Sequence, residues 1–312
     1  MGITRWGILS TANINRLVLP GARLARDTDV VAVASRDAAR AEAYAREEAI
    51  PRAHGSYDAL LADDEVDAVY IPLPNSMHHE WTMRALEAGK HVLCEKPYSR
   101  HANEVEEAFD LAEQNGRLVL SEAFMWRHNP QTALLVELLP RIGELQTIRA
   151  SFGFRLTDEA NVRMLAELDG GALMDVGCYC VSGARLLAGA EPERVHAEQV
   201  TGPSGVDVRL TGLLRFPHDV VAELTCSFTA DHQGLEAIGG EGTLFVPGPW
   251  HGKEGLVLLN GEEHRVEPQN SYALELENVG AAIHGEAPLL LGRDDALGQA
   301  RTIERLYAAA ER

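Results

Sequence analysis

The sequence predicts an α/β protein of two domains, a doubly wound parallel sheet over residues 1–122 and an α+β domain over residues 123–312. Two observations predict this. Short apolar runs alternate with helical patterns up to about residue 122, and after that the rhythm changes to consecutive strand-like stretches. The length of 312 residues is also more than one ordinary core needs, so each half is expected to bury its own apolar centre.

In the first half, runs rich in Val, Ile and Leu are the predicted strands and the segments between them show helical periodicity. The strands are 5–9, 30–34, 66–71, 91–94 and 118–120, and the helices are 14–25, 38–49, 78–88 and 104–115. This alternation predicts parallel strands with helices on both faces. Asp37 and Ser56 are expected to cap helices, while Gly89 and Gly116 fall where helices stop.

The second half has a different organisation. Helices are predicted after Pro130, from about 171 to 187, from 272 to 284 and from 293 to 310, and strands near 194–201, 206–215, 219–229, 235–246 and 254–267. Consecutive strands joined by short turns are typical of antiparallel hairpins. A large, mostly antiparallel open sheet is therefore expected here.

Composition narrows the possible partners. The chain has 28 basic and 47 acidic residues, a net charge of -19, which repels phosphate backbones and anionic lipid surfaces. Nucleic acid and membrane are therefore not expected as partners. No apolar run approaches the roughly 18 residues of a membrane span, and no secretory signal pattern begins the chain. The cysteines have no framework spacing, which favours thiols in the cytoplasm: Cys94, Cys178, Cys180 and Cys226.

The turn after the first strand is where a doubly wound domain of the Rossmann type binds a dinucleotide diphosphate. It consists of Ser10, Thr11, Ala12, Asn13 and Ile14, so Ser10 and Ala12 replace the first two fingerprint glycines and Asn15 replaces the third. Small side chains still permit close approach of the backbone, and the next helix offers its N-terminal amides. A tight turn without a ligand remains the alternative.

The end of the second strand indicates which dinucleotide binds. Ser35 and Arg36 stand where an NAD enzyme usually places an acid, and Arg40 follows one turn later. Guanidinium groups there favour a 2′-phosphate, so NADP is predicted over NAD. Asp37 is the competing acid and is assigned to helix capping. A later loop supports a cofactor site near the nicotinamide ribose, although prolines also simply end strands: Pro72, Leu73, Asn75 and His78.

Lysine is rare in this chain, yet one of its three lysines, Lys96, lies at the carboxyl end of a predicted strand. A desolvated ammonium exchanges protons as a guanidinium does not, so Lys96 beside Glu95 is a candidate acid/base group. Pro97 fixes the direction of Lys96 by excluding helical conformation there. The alternative is a surface lysine that solvates a turn.

In the second half, Asp175 and Tyr179 are four residues apart in a predicted helix and share a face. Gly177 between them lowers helix propensity, which suggests that another group approaches the backbone closely. Asp175, Tyr179 and Lys96 from the other domain would form a proton-handling catalytic cluster, in which the ammonium stabilises the phenolate of Tyr179 and makes it a base. A core tyrosine bonded to Asp175 is the alternative. No metal site is expected, since Cys178 and Cys180 cannot face one ion together.

Four separated motifs together resemble the glucose-fructose oxidoreductase / inositol dehydrogenase family, over essentially the whole chain. They are the segments 5–14, 95–97, 124–127 and 175–180. The resemblance implies that Lys96 and Tyr179 are catalytic, and that Asp175 helps to hold a sugar. It further implies that Trp126 and Arg127 approach the cofactor, that the bond before Pro97 is cis, and that the chain forms a homodimer or higher oligomer through the open sheet.

These observations predict a cytoplasmic, NADP-dependent oxidoreductase of a sugar or polyol, in which hydride passes between the nicotinamide and C1 of an aldopyranose such as D-xylose or D-glucose. A keto sugar, 1,5-anhydrofructose or a trans-dihydrodiol are alternative substrates. An NADP- or sugar-sensing regulator on the same fold is the alternative outside enzymes, but a sensor would need neither Lys96 nor Tyr179.

Overall fold

A computed structural model describes residues 2–116 and 118–311, and the chain divides into two compact units. The first unit comprises the chain up to Ser99 together with Asn103–Met125 and Asn270–Leu297. The second comprises Arg100–Ala102, Trp126–Gln269 and the chain from Gly298 onwards. Each unit has its own sheet and its own buried centre, as the length of the chain predicts.

The first unit contains a six-stranded parallel sheet in the order β3-β2-β1-β4-β5-β6. Its strands are β1 (Thr4–Leu9), β2 (Thr28–Ala34), β3 (Arg52–His54), β4 (Ala68–Ile71), β5 (His91–Glu95) and β6 (Leu120–Ala123). Strand order reverses between β1 and β4, and ligands of such sheets bind beyond the carboxyl ends of the strands at that reversal. The predicted doubly wound fold is confirmed.

Helices cover this sheet: α1 (Asn15–Leu24), α2 (Ala38–Glu47), α3 (Tyr57–Leu61), α4 (His78–Glu87), α5 (Ala102–Gln114) and, from late in the chain, α8 (Ser271–Ile283). The carboxylate of Asp37 accepts two amide hydrogen bonds at the start of α2, and Ser56 Oγ accepts one at the start of α3, so both predicted caps are confirmed. Gly89 and Gly116 have positive φ, which suits a glycine at a helix end.

Two features of the first unit were not predicted. Strand β3 has only three residues and none of them is buried, so it lacks the apolar run by which the other strands are recognised. Helix α8 packs against α1 although 247 residues separate Leu24 from Ser271 by number, because its apolar residues Leu276 and Val279 join the core around β1 and β4. The boundary at 122/123 remains a prediction, and residues 270–297 belong to the first unit by their packing.

The second unit contains an eight-stranded sheet in the order β14-β13-β12-β11-β7-β10-β9-β8. Its strands are β7 (Leu145–Gly153), β8 (Arg194–Thr201), β9 (Asp207–Arg215), β10 (Val221–Ser227), β11 (His232–Gly239), β12 (Thr243–Val246), β13 (Leu256–Leu259) and β14 (Glu262–Arg265). All pairings are antiparallel except that of β7 with β10. The mostly antiparallel sheet is confirmed, but β7, which lies inside the sheet, was not predicted.

The helices of this unit are α6 (Pro130–Leu138), α7 (Cys178–Ala188) and α9 (Arg293–Ala310), the last of which begins in the first unit. A π-helical segment, Leu173–Gly177, runs directly into α7, and both lie against β7 and β10. A Cβ on Gly177 would stand 2.8 Å from Cys226 Sγ of β10, so the close approach predicted at this glycine is confirmed. Short π-helical turns are frequent at functional sites.

Candidate functional site

The turn after β1 is shaped for a close backbone approach. Ser10 has φ 153°, a conformation that favours glycine, although it replaces the first glycine of the fingerprint. Its hydroxyl donates to Pro72 O (3.2 Å) and accepts from Ala12 N (3.1 Å), while Asn15 Nδ2 donates to Ser10 O (2.9 Å). Asn15 is fully buried and therefore holds the turn from within.

Helix α1 starts directly after this turn and has no side-chain cap at Ile14. The first amides of an uncapped helix carry a partial positive charge and bind phosphate oxygens well. The predicted residues Thr11, Ala12, Asn13 and Ile14 all lie in this turn, and their backbone is suited to the diphosphate of a dinucleotide.

Beyond the end of β2, the predicted 2′-phosphate residues form a cationic surface. Ser35 is 7% exposed and its hydroxyl accepts from Asp37 N (3.3 Å), whereas Arg36 and Arg40 are exposed. Asp37 Oδ1 accepts from the amides of Ala39 and Arg40, so this acid serves as the predicted helix cap. This donor set fits the extra phosphate of NADP better than the free diol of NAD.

The loop after β4 contains Pro72, Leu73 and Asn75, and ends at His78. His78 is fully buried, with Nδ1 2.9 Å from Pro97 O and Nε2 2.8 Å from Leu73 O. Burial lowers the pKa of His78, although both carbonyl contacts oppose that shift. Both ring nitrogens are engaged by the backbone, so any contribution of His78 to a cofactor would come from fixing this loop against Pro97.

At the end of β5, the carboxylate of Glu95 is bound by Tyr70 of β4, whose hydroxyl donates to Glu95 Oε1 at 2.6 Å. The amide of Lys96 donates to Glu95 Oε2 at 3.2 Å, and the bond between Lys96 and Pro97 is cis, as the resemblance implies. Tyr70 is 2% exposed, so the anchor of Glu95 is rigid. Lys96 therefore stands at the carboxyl edge of the first sheet, the same edge at which the turn after β1 lies.

In the second unit, the π-helical segment and α7 carry the other two predicted catalytic residues. The carboxylate of Asp175 pairs with Arg163 at 2.7 Å. The ring of Tyr179 contacts Phe152 edge-on (5.4 Å between centroids) and lies 5.8 Å from that of Trp250. Tyr179 is only 8% exposed, so its orientation is set by these aromatic neighbours.

Trp126 and Arg127 belong to the same aromatic cluster. Trp126 is fully buried and meets Trp250 edge-on at 5.3 Å, and the guanidinium of Arg127 lies 5.9 Å from the Trp126 ring. Trp250 thus connects Trp126 with Tyr179, three residues that are far apart in the sequence. Lys96 lies in the first unit and Tyr179 in the second.

Asp207 is a buried carboxyl that the sequence analysis missed. It is 3% exposed, accepts from Leu173 N (2.8 Å) and from the hydroxyl of Tyr307 (2.9 Å), and lies against Gly171. Burial raises the pKa of Asp207 to about 6. It caps the segment that carries Asp175, but a lone Asp at the start of a strand gives no signal of this in the sequence.

Two separate family models match the two halves of the chain. Residues 4–124 match the family "Oxidoreductase family, NAD-binding Rossmann fold", and residues 140–245 match the "GFO/IDH/MocA C-terminal domain". The chain is 40% identical to D-xylose 1-dehydrogenase (NADP(+)) 2 of Haloferax volcanii, over 98% of this chain and 97% of that protein. The chain belongs to the GFO/IDH/MocA oxidoreductase family. The resemblance of its motifs is thereby confirmed.

Other members of the GFO/IDH/MocA family are similar as well. A trans-1,2-dihydrobenzene-1,2-diol dehydrogenase of Xenopus tropicalis is 33% identical over 86% of this chain and 84% of that protein. The crystal structure of a 3-ketoreductase from Actinomadura kijaniata with NADP and TDP-benzene superposes with a TM-score of 0.92 at 32% identity, covering 99% of this chain and 98% of that one. The chain is an NADP-dependent oxidoreductase, so the sensor alternative is set aside.

Metal-binding clusters and membrane-spanning helices are both absent from residues 2–116 and 118–311, the part of the chain that the structure describes. Within it, no three His, Cys, Asp or Glu side chains are grouped so as to hold a metal ion. None of the helices in that part is both long and apolar enough to cross a membrane.

Proposed function

We propose that this family member oxidises C1 of a neutral aldopyranose, of the D-xylose or D-glucose type, to the lactone. Oxidised NADP, held by the residues named below, would supply the acceptor for the hydride that leaves the sugar carbon. The observation that carries the proposal is the pair of residues Lys96 and Tyr179, each held at a defined place in its unit, in a chain 40% identical to a D-xylose 1-dehydrogenase.

The two side chains have different tasks in this proposal. Tyr179 removes the proton of the C1 hydroxyl through its phenolate oxygen, and the ammonium of Lys96 favours that phenolate by electrostatic attraction. Asp175 orients the sugar by accepting a hydroxyl hydrogen. Trp126, Trp250 and Phe152 exclude water from the reacting carbon, which strengthens the electrostatic effect of Lys96.

In the same proposal, most of the residues that would hold the cofactor belong to the first unit. Backbone amides from Ser10 to Ile14 bind the diphosphate, Ser35, Arg36 and Arg40 bind the 2′-phosphate, and the loop residues Pro72, Leu73, Asn75 and His78 adjoin the nicotinamide ribose. Glu95 and Pro97 fix Lys96 beside that ribose. Trp126 and Arg127 complete the cofactor site.

The test is NADP reduction followed at 340 nm with a panel of aldoses, polyols and dihydrodiols, for the wild type, Lys96→Ala and the exposed-lysine control Lys253→Ala. The turnover number for an aldose should be on the order of 100-fold or more lower in Lys96→Ala than in wild type, because groups that assist acid–base catalysis contribute that much. NADP binding by calorimetry should persist, and the control should match wild type. Wild-type turnover in Lys96→Ala would refute the role of this lysine.

A second substrate class has support of its own. The wall formed by Trp126, Phe152 and Trp250 suits an apolar ring, and the dihydrodiol dehydrogenase of Xenopus tropicalis is 33% identical. A trans-dihydrodiol is therefore the alternative substrate. Saturable turnover of a dihydrodiol, with silence on every aldose in the same panel, would replace the first proposal by this one.

Assembly and compartment also remain proposals. We infer a homodimer or higher oligomer through the outer face of the eight-stranded sheet, where Val200, Leu213 and Phe245 are 44%, 46% and 37% exposed. Light scattering on the purified chain tests this oligomeric state.

The four buried thiols support a reducing, cytoplasmic compartment. Fractionation of cells that express the protein would test that location.

A further inference from the structure

Arg163 lies in a loop that is built to hold it in one position. Its amide donates to Asn161 Oδ1 (3.1 Å), which caps the short 3-10 helix Val162–Met164. Its carbonyl accepts from Gly171 N (2.9 Å), two residues before the π-helical segment. The backbone of Arg163 is therefore joined at both ends to ordered structure.

The glycines that follow are required by this arrangement. A Cβ on Gly170 would collide with the carbonyl oxygen of Arg163, and Gly171 has φ 128°, which favours glycine. The chain can thus bring the loop against the start of the π-helical segment only with glycines at these two positions. This close approach places the side chain of Arg163 beside that of Asp175.

The pairing of these two side chains uses one edge of the guanidinium. Arg163 Nε donates to Asp175 Oδ2 at 2.7 Å, and Arg163 NH1 lies 3.5 Å from Asn161 Oδ1. The side chain of Arg163 remains 43% exposed, whereas that of Asp175 is 14% exposed. Arg163 is therefore the more accessible side chain of the pair.

A guanidinium presents its N–H groups in a fixed fork that matches two adjacent oxygen atoms. We propose that Arg163 is a substrate-binding residue, whose terminal nitrogens donate to two adjacent oxygens of a neutral sugar while Asp175 holds its Nε. The proposal rests on the proposed function, since it assigns a role in the same site. Arg163 thereby adds a hydrogen-bond donor to the sugar site, in which Asp175 was the expected polar contact to the substrate.

The charge of the pair indicates the class of sugar. Asp175 compensates the charge of Arg163, so the pair as a whole offers no net attraction to an anion. A sugar with a carboxylate would therefore gain no net attraction from the pair, and the net charge of -19 of the chain would repel it. Neutral aldoses should therefore be preferred to uronates.

Steady-state kinetics of Arg163→Met, Arg163→Lys and the control Arg265→Met test the role of Arg163. Arg265 is also exposed and paired, with Glu263 on β14. In Arg163→Met the KM for the aldose should rise about 10- to 100-fold, as expected for hydrogen bonds from a charged donor, with NADP affinity unchanged. Arg163→Lys keeps the charge but not the fork, so its KM should stay at least about 5-fold raised.

Each outcome bears on one statement. The proposal would be overturned by an unchanged KM in Arg163→Met, or by a wild-type KM in Arg163→Lys. An equal loss of NADP affinity in Arg163→Met would also overturn it, because that result would indicate a general loss of structure. Silence of the wild type on every aldose would instead refute the proposed function. The failure of the one is thereby distinguishable from that of the other.

The preference for neutral sugars has a separate test in wild type and Asp175→Asn. Wild type should oxidise D-glucose with higher kcat/KM than D-glucuronate. In Asp175→Asn the uncompensated guanidinium should raise the ratio of glucuronate to glucose kcat/KM at least about 10-fold, since an ion pair to carboxylate becomes available. An unchanged ratio would overturn the assignment of charge compensation to this pair.

Discussion

The carboxyl of Asp207 should make the stability of this protein fall between weakly acidic and neutral pH. Asp207 is 3% exposed, and burial raises its pKa from the ordinary 3.8 to about 6. The folded chain therefore holds a proton there at pH values at which the unfolded chain has released it. Between these two pKa values stability decreases as pH rises, because the unfolded state binds fewer protons.

Replacing Asp207 by Asn removes the titration and keeps the shape. The Asn oxygen can still accept from Leu173 N, and its amide faces the hydroxyl of Tyr307, which can accept. With pKa values of 3.8 and about 6, this carboxyl should lower the unfolding free energy of wild type by about 1.4 kcal/mol between pH 5 and pH 7.5. Asp207→Asn lacks that cost.

Urea unfolding of wild type and Asp207→Asn, monitored by circular dichroism at pH 5 and pH 7.5, measures the effect. The variant should gain about 1.4 kcal/mol in unfolding free energy relative to wild type between pH 5 and pH 7.5, because all other groups titrate alike in both chains. The difference in unfolding free energy between variant and wild type is taken at each pH. Subtracting one difference from the other cancels the effect of any lost hydrogen bond whose strength does not depend on pH. A difference between the chains that is equal at both pH values would refute the reasoning.

Two further predictions concern the cofactor and the assembly. Arg36→Ala should lower kcat/KM for NADP about 10- to 100-fold and leave that for NAD within about 3-fold, because one charge-assisted contact to the 2′-phosphate is lost; equal losses for both cofactors would contradict this assignment. Leu213→Glu should convert the oligomer to monomers in light scattering, since it places charges in an apolar interface; an unchanged mass would show that the outer face of the sheet is not the interface.

Several parts of the fold could be predicted because local sequence patterns carry them. The buried parallel strands read as continuous apolar runs, and Asp37 and Ser56 cap the helices that they were expected to cap. Strand β7 was missed although it lies inside its sheet. Its polar residues, such as Gln146, Thr147 and Arg149, make it similar to a surface loop in sequence.

Other parts depend on contacts between residues far apart in the chain. The predicted strand at 235–246 is two strands, β11 and β12, because a turn at 240–242 reverses the chain within it. Helix α8 has an ordinary amphipathic sequence, and nothing in that sequence shows that it packs beside α1. The choice of neighbour is made by the shape of the core that receives Leu276 and Val279.

The sequence by itself determined the class of fold, the preference for NADP and the candidates Lys96, Asp175 and Tyr179, because strand periodicity, capping chemistry and motif residues are local properties. Only the tertiary structure decided that Arg163 pairs with Asp175, that Trp250 connects Trp126 with Tyr179, and that Asp207 caps the segment of Asp175. These side chains meet through the packing of separate strands and loops, and burial then sets the charge of Asp207.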